Sequence, residues 1–200
     1  PFALVPLYDG DGCLAGIRLT SITDRVANLL QRTGEWFYQT ERPCHLGGRE
    51  FVISDCRVTP GPTWQQLALS EPTKQIGLRF NSPTAFRQGP GHLPLPLPGN
   101  VFSSPARTWE AFAPPIMTLP ASWLEWCAQD VFVIQHNIET VQVNISKQER
   151  FIGFVGVVWF EAVQGDELYL RAWQALSILA TYCGIGHKTT MGMGAVERIS

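Results

Sequence analysis

The sequence predicts an α+β protein of two tandem units, each an antiparallel sheet with helices on one face. Three observations carry this. β-prone stretches recur with short turns between neighbours, helical stretches separate some of them, and their order runs nearly twice through one pattern along the 200 residues. That pattern, β-α-β-β-α-β, is the ferredoxin-like (RRM-like) unit. A hydrophobic content of 45% is enough to bury one large core or two small ones.

The first unit is expected over residues 1–62. Residues 2–7 and 14–20 are apolar and β-prone, and Asp9-Gly10-Asp11-Gly12 between them is a turn signal, so the chain opens on a hairpin. Thr23-Asp24 offers a helix N-cap before Val26, Ala27, Leu29 and Leu30, whose spacing makes one apolar face, and Gly34 marks the expected end. A polar loop holding Gly47-Gly48 leads to a strand at 51–58, closed by Pro60-Gly61-Pro62. Strand, strand, helix, strand is what remains of a ferredoxin-like unit once its first strand and first helix are removed.

The second unit is expected over residues 73–200. Ile76, Leu78 and Phe80 alternate with Gly77 and Arg79, as in a strand with one buried face. Residues 89–98, with Pro90, Pro94, Pro96 and Pro98, read as an irregular connector, because proline lacks an amide donor and fixes φ. Helices are expected at 104–112 and 119–127, broken by Pro114-Pro115. Residues 131–145 form a strand in which Val141, Val143 and Ile145 share a face, the polar residues 146–150 turn the chain, and 151–163 returns as a strand. Gly153 and Gly156 inside that strand call for a bulge or a close approach of backbone. Asp166 starts an apolar helix to about Tyr182, and a glycine-rich loop precedes a last strand at 195–199.

The five cysteines are scattered and never form a C-x-x-C pair, which argues against a disulfide framework and fits a reducing cytoplasm. Neither they nor the dispersed His45, His92, His136 and His187 make a metal-ligand spacing, so no metal and no cofactor is expected. No run of eighteen apolar residues marks a membrane span, and no membrane partner is expected. The formal charge is −2, from 15 basic and 17 acidic residues, without the basic excess typical of proteins held by phosphate contacts. The basic residues are mostly arginine, which suits bidentate phosphate contacts and stacking on bases.

The segment 184–194 concentrates the chemistry. Gly184, Gly186, Gly192 and Gly194 surround His187, Lys188, Thr189 and Thr190. Glycines let backbone approach a ligand, exposed amides can form an anion-binding nest, and the lysine and hydroxyls add donors for phosphate. A nucleotide-binding P-loop does not fit, because His187 separates Gly186 from Lys188 and the loop follows a helix and precedes a strand. A plain helix cap would require one or two glycines, not four.

This segment resembles the carboxyl-terminal glycine-rich loop of the repeat-associated RNA-processing superfamily, and in particular of the CRISPR-associated repeat-RNA endoribonucleases of the sixth Cas family. Further matches run in order through residues 1–7, Ser82-Pro83-Thr84-Ala85-Phe86-Arg87, 96–102 and 151–156, followed by Phe160-Glu161. The resemblance implies two ferredoxin-like units side by side and metal-independent cleavage of CRISPR repeat RNA. A ribose 2′-hydroxyl would attack the adjacent phosphate and leave a 2′,3′-cyclic phosphate.

In the family the catalytic histidine lies in or just after the first helix of the first unit, the element absent from the pattern here, so no catalytic residue is assigned. Gly184, Gly186, His187, Lys188, Thr189, Thr190, Gly192, Gly194, Arg79 and Arg87 are the expected RNA contacts, with Lys147 and Arg150 at a hairpin tip suited to a stem-loop. His45 and His92 read as solvated loop residues, and His136 as a paired strand residue. Other Cas proteins are possible further partners. Two alternatives stay open: a noncatalytic RNA-binding scaffold of a CRISPR effector complex, and a domain that only joins proteins.

Overall fold

A computed structural model of the chain describes residues 2–46, 49–145 and 150–199. Pro1, the Gly47-Gly48 loop and the turn at 146–149 with Lys147 lie outside the described residues.

β1 (Phe2–Tyr8) pairs antiparallel with β2 (Leu14–Ser21), Phe2 opposite Ser21. The Asp9 carboxylate closes their turn by accepting from the amides of Asp11 and Cys13 at 3.0 and 2.8 Å. α1 (Asp24–Thr40) runs beyond the expected stop at Gly34. A Cβ at Gly34 would stand 3.0 Å from Cys56 Sγ, so this glycine serves the close passage of a neighbouring segment rather than ending the helix.

The strand expected at 51–58 requires correction. β3 (Cys44–Leu46) pairs with β4 (Arg49–Phe51), Cys44 opposite Phe51, and residues 52–63 form neither helix nor strand. Pro60 and Pro62 lack ladder donors, and Gly61 presses against the Tyr182 ring, where an added Cβ would lie 3.0 Å from a ring carbon. α2 (Trp64–Ala68) follows, opened by a capping box. The Thr63 amide donates to Gln66 Oε1 at 2.8 Å and the Gln66 amide to Thr63 Oγ1 at 3.2 Å.

β5 (Gln75–Thr84) begins the second sheet. The proline-rich stretch 89–98, read as an irregular connector, contains β7 (Gly91–Leu93), which forms a short hairpin with β6 (Phe86–Gln88) just before it, Arg87 opposite His92. α3 (Pro98–Phe112) starts earlier than expected, with its first proline where an amide is not needed. α4 (Trp123–Asp130), β8 (Val131–Asn144), β9 (Arg150–Ala162), α5 (Glu167–Cys183) and β10 (Val196–Ile199) complete the chain.

The sheet order is β10-β5-β9-β8, every neighbour antiparallel, so the first and third strands of the unit lie at the centre, as in a ferredoxin-like fold. The α+β class with tandem antiparallel units therefore holds. The core lies between one face of this sheet and the helices. Ile76, Leu78, Phe80, Phe154, Val158 and Phe160 meet Phe102 and Trp109 of α3, Trp123 of α4, and Trp173 and Leu176 of α5. Phe102 sits edge-on to Phe160 and Trp173 at ring distances of 5.7 and 5.8 Å.

The register of β5 against β9 shifts between Phe80 and Thr84. Gly153 lies under this irregularity, where a Cβ would meet the Thr84 amide nitrogen at 2.7 Å. The close approach asked for by a glycine inside a strand is thus present.

Candidate functional site

The glycine-rich segment leaves the end of α5 and returns as β10, and its shape is fixed from three sides. On the sheet side, the Gly194 amide donates to Pro83 O at 3.1 Å, the Ala195 amide to Ser82 Oγ at 2.8 Å, and the Asn81 amide to Ala195 O at 2.8 Å. The residues 82–85 and the loop, far apart in sequence, thereby form one structural unit. From α3, Ser104 Oγ accepts the Gly186 amide at 3.0 Å. On the third side, β1 packs on the short turn Thr189–Met191, and Leu4 Cδ2 lies 3.2 Å from where a Gly192 Cβ would be.

All four loop glycines have positive φ. At Gly194 (φ 68°) a Cβ would stand 1.9 Å from Ile185 O, and at Gly186 (φ 85°) 2.5 Å from Ala85 O, so no other residue fits either place without rebuilding the loop.

The hydrogen bonding modifies the expectation of a nest of amides along the whole segment. Gly184 donates to Ala180 O and Ile185 to Gly194 O, both at 2.9 Å; Met191 and Met193 donate to Lys188 O, and Gly192 to Thr189 O. With Gly186 and Gly194 also satisfied, the glycines shape the loop rather than offer donors. Its accessible part centres on residues 187–191: His187, Lys188 and Thr189 are half-buried and Thr190 and Met191 are exposed, with Lys188 in the left-handed region at φ 62°.

Of the two arginines, the structure brings only Arg87 to this place. Arg87 is exposed and faces His92 across the β6–β7 hairpin. The His92 ring lies 4.5 Å from the His187 ring at an interplanar angle of 34°, and both lean on Phe151 at 5.7 and 5.1 Å. Arg79 instead occupies the sheet face away from the core, in register with Val157 and Glu197. Arg150 is exposed at the start of β9, and His136 on β8 is exposed opposite Val158.

The sequence reads His92 as a solvated loop residue and does not single out Ser104, whereas the structure puts His92 in β7 and both residues in contact with the loop. Nothing in the chain's local pattern marks either, since each reaches the loop through a tertiary contact. An open cavity of about 230 Å³ lies beside the loop, lined by Ser104, Arg107, Thr108, Cys183, Gly186 and Thr189 among others. Burial pushes the Cys183 thiol up to about 12, so this wall carries no negative charge at neutral pH. Among the described residues no group of three or more His, Cys, Asp or Glu side chains is arranged to hold a metal ion. Nor is any described helix long and apolar enough to cross a membrane.

The first unit is tied to this end of the second. Thr20 Oγ1 donates to Tyr182 O at 2.6 Å, and the Arg18 guanidinium lies 3.9 Å from Glu197 Oε1. Sheet order, loop and junction together define a tandem ferredoxin-like α+β protein with a glycine-rich loop locked where its two units meet.

The profile of the CRISPR-associated endoribonuclease Cas6 family matches residues 78–196, more than half of the chain. Solved structures agree. A Cas6 product complex superposes with a TM-score of 0.85 at 27% identity, covering 100% of this chain and 82% of that one. A Thermus thermophilus Cas6 product complex gives 0.84 at 25% identity, with coverage of 100% and 82%. A Cas6 substrate-mimic complex gives 0.82 at 27% identity, with 100% and 85%. A search of curated proteins finds no match. The chain belongs to the CRISPR-associated endoribonuclease Cas6 family.

Proposed function

We propose that this protein binds CRISPR repeat RNA and cuts the precursor transcript into guide RNAs without a metal ion, leaving a 2′,3′-cyclic phosphate and a free 5′-hydroxyl. The observation that carries this reading is the locked loop at 184–194. It presents His187, Lys188, Thr189 and Thr190 beside Arg87, in a chain that superposes on Cas6 proteins holding a product and a substrate mimic. In this reading the unit boundaries fall at 1–62 and 73–200.

The reaction needs a base to take the 2′-hydroxyl proton, an acid to protonate the departing 5′-oxygen, and cationic donors for the charge that builds on the phosphorane. Lys188 and Arg87 are suited to the last role, as fixed positive groups at the edge of a shaped loop. Thr189 and Thr190 add neutral hydroxyl donors. The loop glycines supply the positive-φ turns that hold these side chains in place. Arg79, on the outer sheet face, serves in this reading as a more distant contact to the RNA backbone.

The experiment is incubation of the full-length protein with repeat RNA in EDTA, followed by end-group analysis. The expected result is undiminished cut at one site, ending in a cyclic phosphate. Cleavage abolished by EDTA and restored by magnesium would overturn the metal-free chemistry. Tight binding without any cut would favour a scaffold role.

A further inference from the structure

The three-ring cluster beside the loop is graded from inside to outside: Phe151 is fully buried, His187 is half-buried and His92 is exposed. His92 comes from the β6–β7 hairpin, Phe151 from the start of β9 and His187 from the glycine-rich loop, so three separate elements build one stack. Two histidines in one ribonuclease invite an acid–base reading, but the geometry opposes it. An acid and a base must flank the reacting phosphate. Rings whose centroids are 4.5 Å apart, tilted by 34°, are in direct contact and leave no room for a phosphate between them.

The same geometry fits another task. An aromatic ring held from behind by two others and open in front is a rigid surface for a flat ligand. Arg87, on the same face of the hairpin as His92, is exposed and forms no salt bridge among the described residues. Unpaired RNA bases are recognised by stacking on aromatic side chains, histidine included, while arginine takes the neighbouring phosphate.

We propose that His92, backed by His187 and Phe151, is a stacking subsite for one unpaired nucleobase of the RNA, with Arg87 on the adjoining phosphate. This rests on the RNA-binding function proposed above and deepens it. A ring face accepts any base, so the subsite fixes the position of the strand beside the loop and is tolerant of sequence.

The test uses the purified protein and the host's own CRISPR repeat RNA carrying 2-aminopurine at one unpaired position at a time. One position is expected to lose fluorescence on binding to wild type and to His92→Phe, and to keep it with His92→Ala. The His92→Ala protein should bind about tenfold more weakly, and His92→Phe close to wild type. Removing that one base from the RNA should weaken wild type by a similar factor and leave His92→Ala unaffected, an outcome that a merely structural loss at the loop would not give. Arg87→Ala should flatten the salt dependence while the fluorescence loss persists.

If wild type binds the repeat tightly but no position responds, or if the abasic RNA is penalised equally with His92→Ala, the subsite is wrong and the RNA-binding reading stands. If folded wild type binds no repeat RNA at all, that reading fails and the subsite falls with it.

Discussion

The two ends of this chain use similar amphipathic patterns to different effect. In the second unit the apolar faces of β5, β9, α3 and α5 close on one another, and Phe80, Phe102, Phe154, Phe160 and Trp173 lose essentially all contact with solvent. In the first, α1 has a clear apolar stripe but no buried residue along its 17 positions, and Leu29 remains 63% exposed. Of the β1–β2 pair only Ala3, Val5 and Thr20 are buried. The pattern in a sequence says that a face is suited to cover; only the arrangement of neighbours says whether cover is supplied. The glycine-rich loop sits at the boundary, fixed by the well-packed unit through Pro83, Ser82 and Ser104 and touched by the less-packed one through Leu4.

Four variants would break or sharpen this contrast. The largest effect is expected for Phe154→Ala in the central strand, a loss of about 3–5 kcal/mol from transfer and cavity terms together, seen as a fall in urea midpoint. Next comes Gly194→Ala, which combines a left-handed backbone with a collision at Ile185 O. It should cost about 2–3 kcal/mol by the same measurement, and a neutral result would show that the loop rebuilds freely.

For Lys188→Ala with Arg87→Ala, stability should hold while RNA affinity drops about tenfold or more and the logarithmic salt slope shrinks by about 1 to 2. An unchanged slope would remove these residues from the RNA surface. The smallest effect is expected for Leu29→Ala on α1, under about 0.5 kcal/mol in this chain. A loss comparable to that of Phe154→Ala would mean that the first unit is as tightly packed as the second.

Much of this architecture was legible beforehand because its signals are local. The Asp9-Gly10-Asp11-Gly12 turn, the β8–β9 ribbon with Val141 and Val143 on one face, and the Asp166 cap, whose carboxylate accepts the Tyr169 amide at 3.1 Å, all follow from neighbours in sequence. The start of α2 is also a local signal. Thr63 and Gln66 have the spacing of a capping box. α1 continues past Gly34 because there the glycine's small size serves a tertiary contact with Cys56.

The candidate site divides the same way. Its glycines, His187, Lys188 and threonines were visible as a cluster because they are consecutive. The grouping of Arg87 with His92, and the role of Ser82 and Ser104 in holding the loop, were not, because each depends on contacts between residues tens of positions apart.

By itself, then, the sequence determined the order of the longer strands and helices, the presence of a loop of four glycines, and the residues able to meet an anionic backbone. These are matters of backbone conformation and side-chain chemistry, settled within a few residues. Only the tertiary structure decided that the loop's amides turn inward to Pro83 and Ser104 and that Arg79 faces away from it. The same holds for the stacking of two distant histidines at its edge. A hydrogen bond or ring contact across the fold has no counterpart in the spacing of a linear chain.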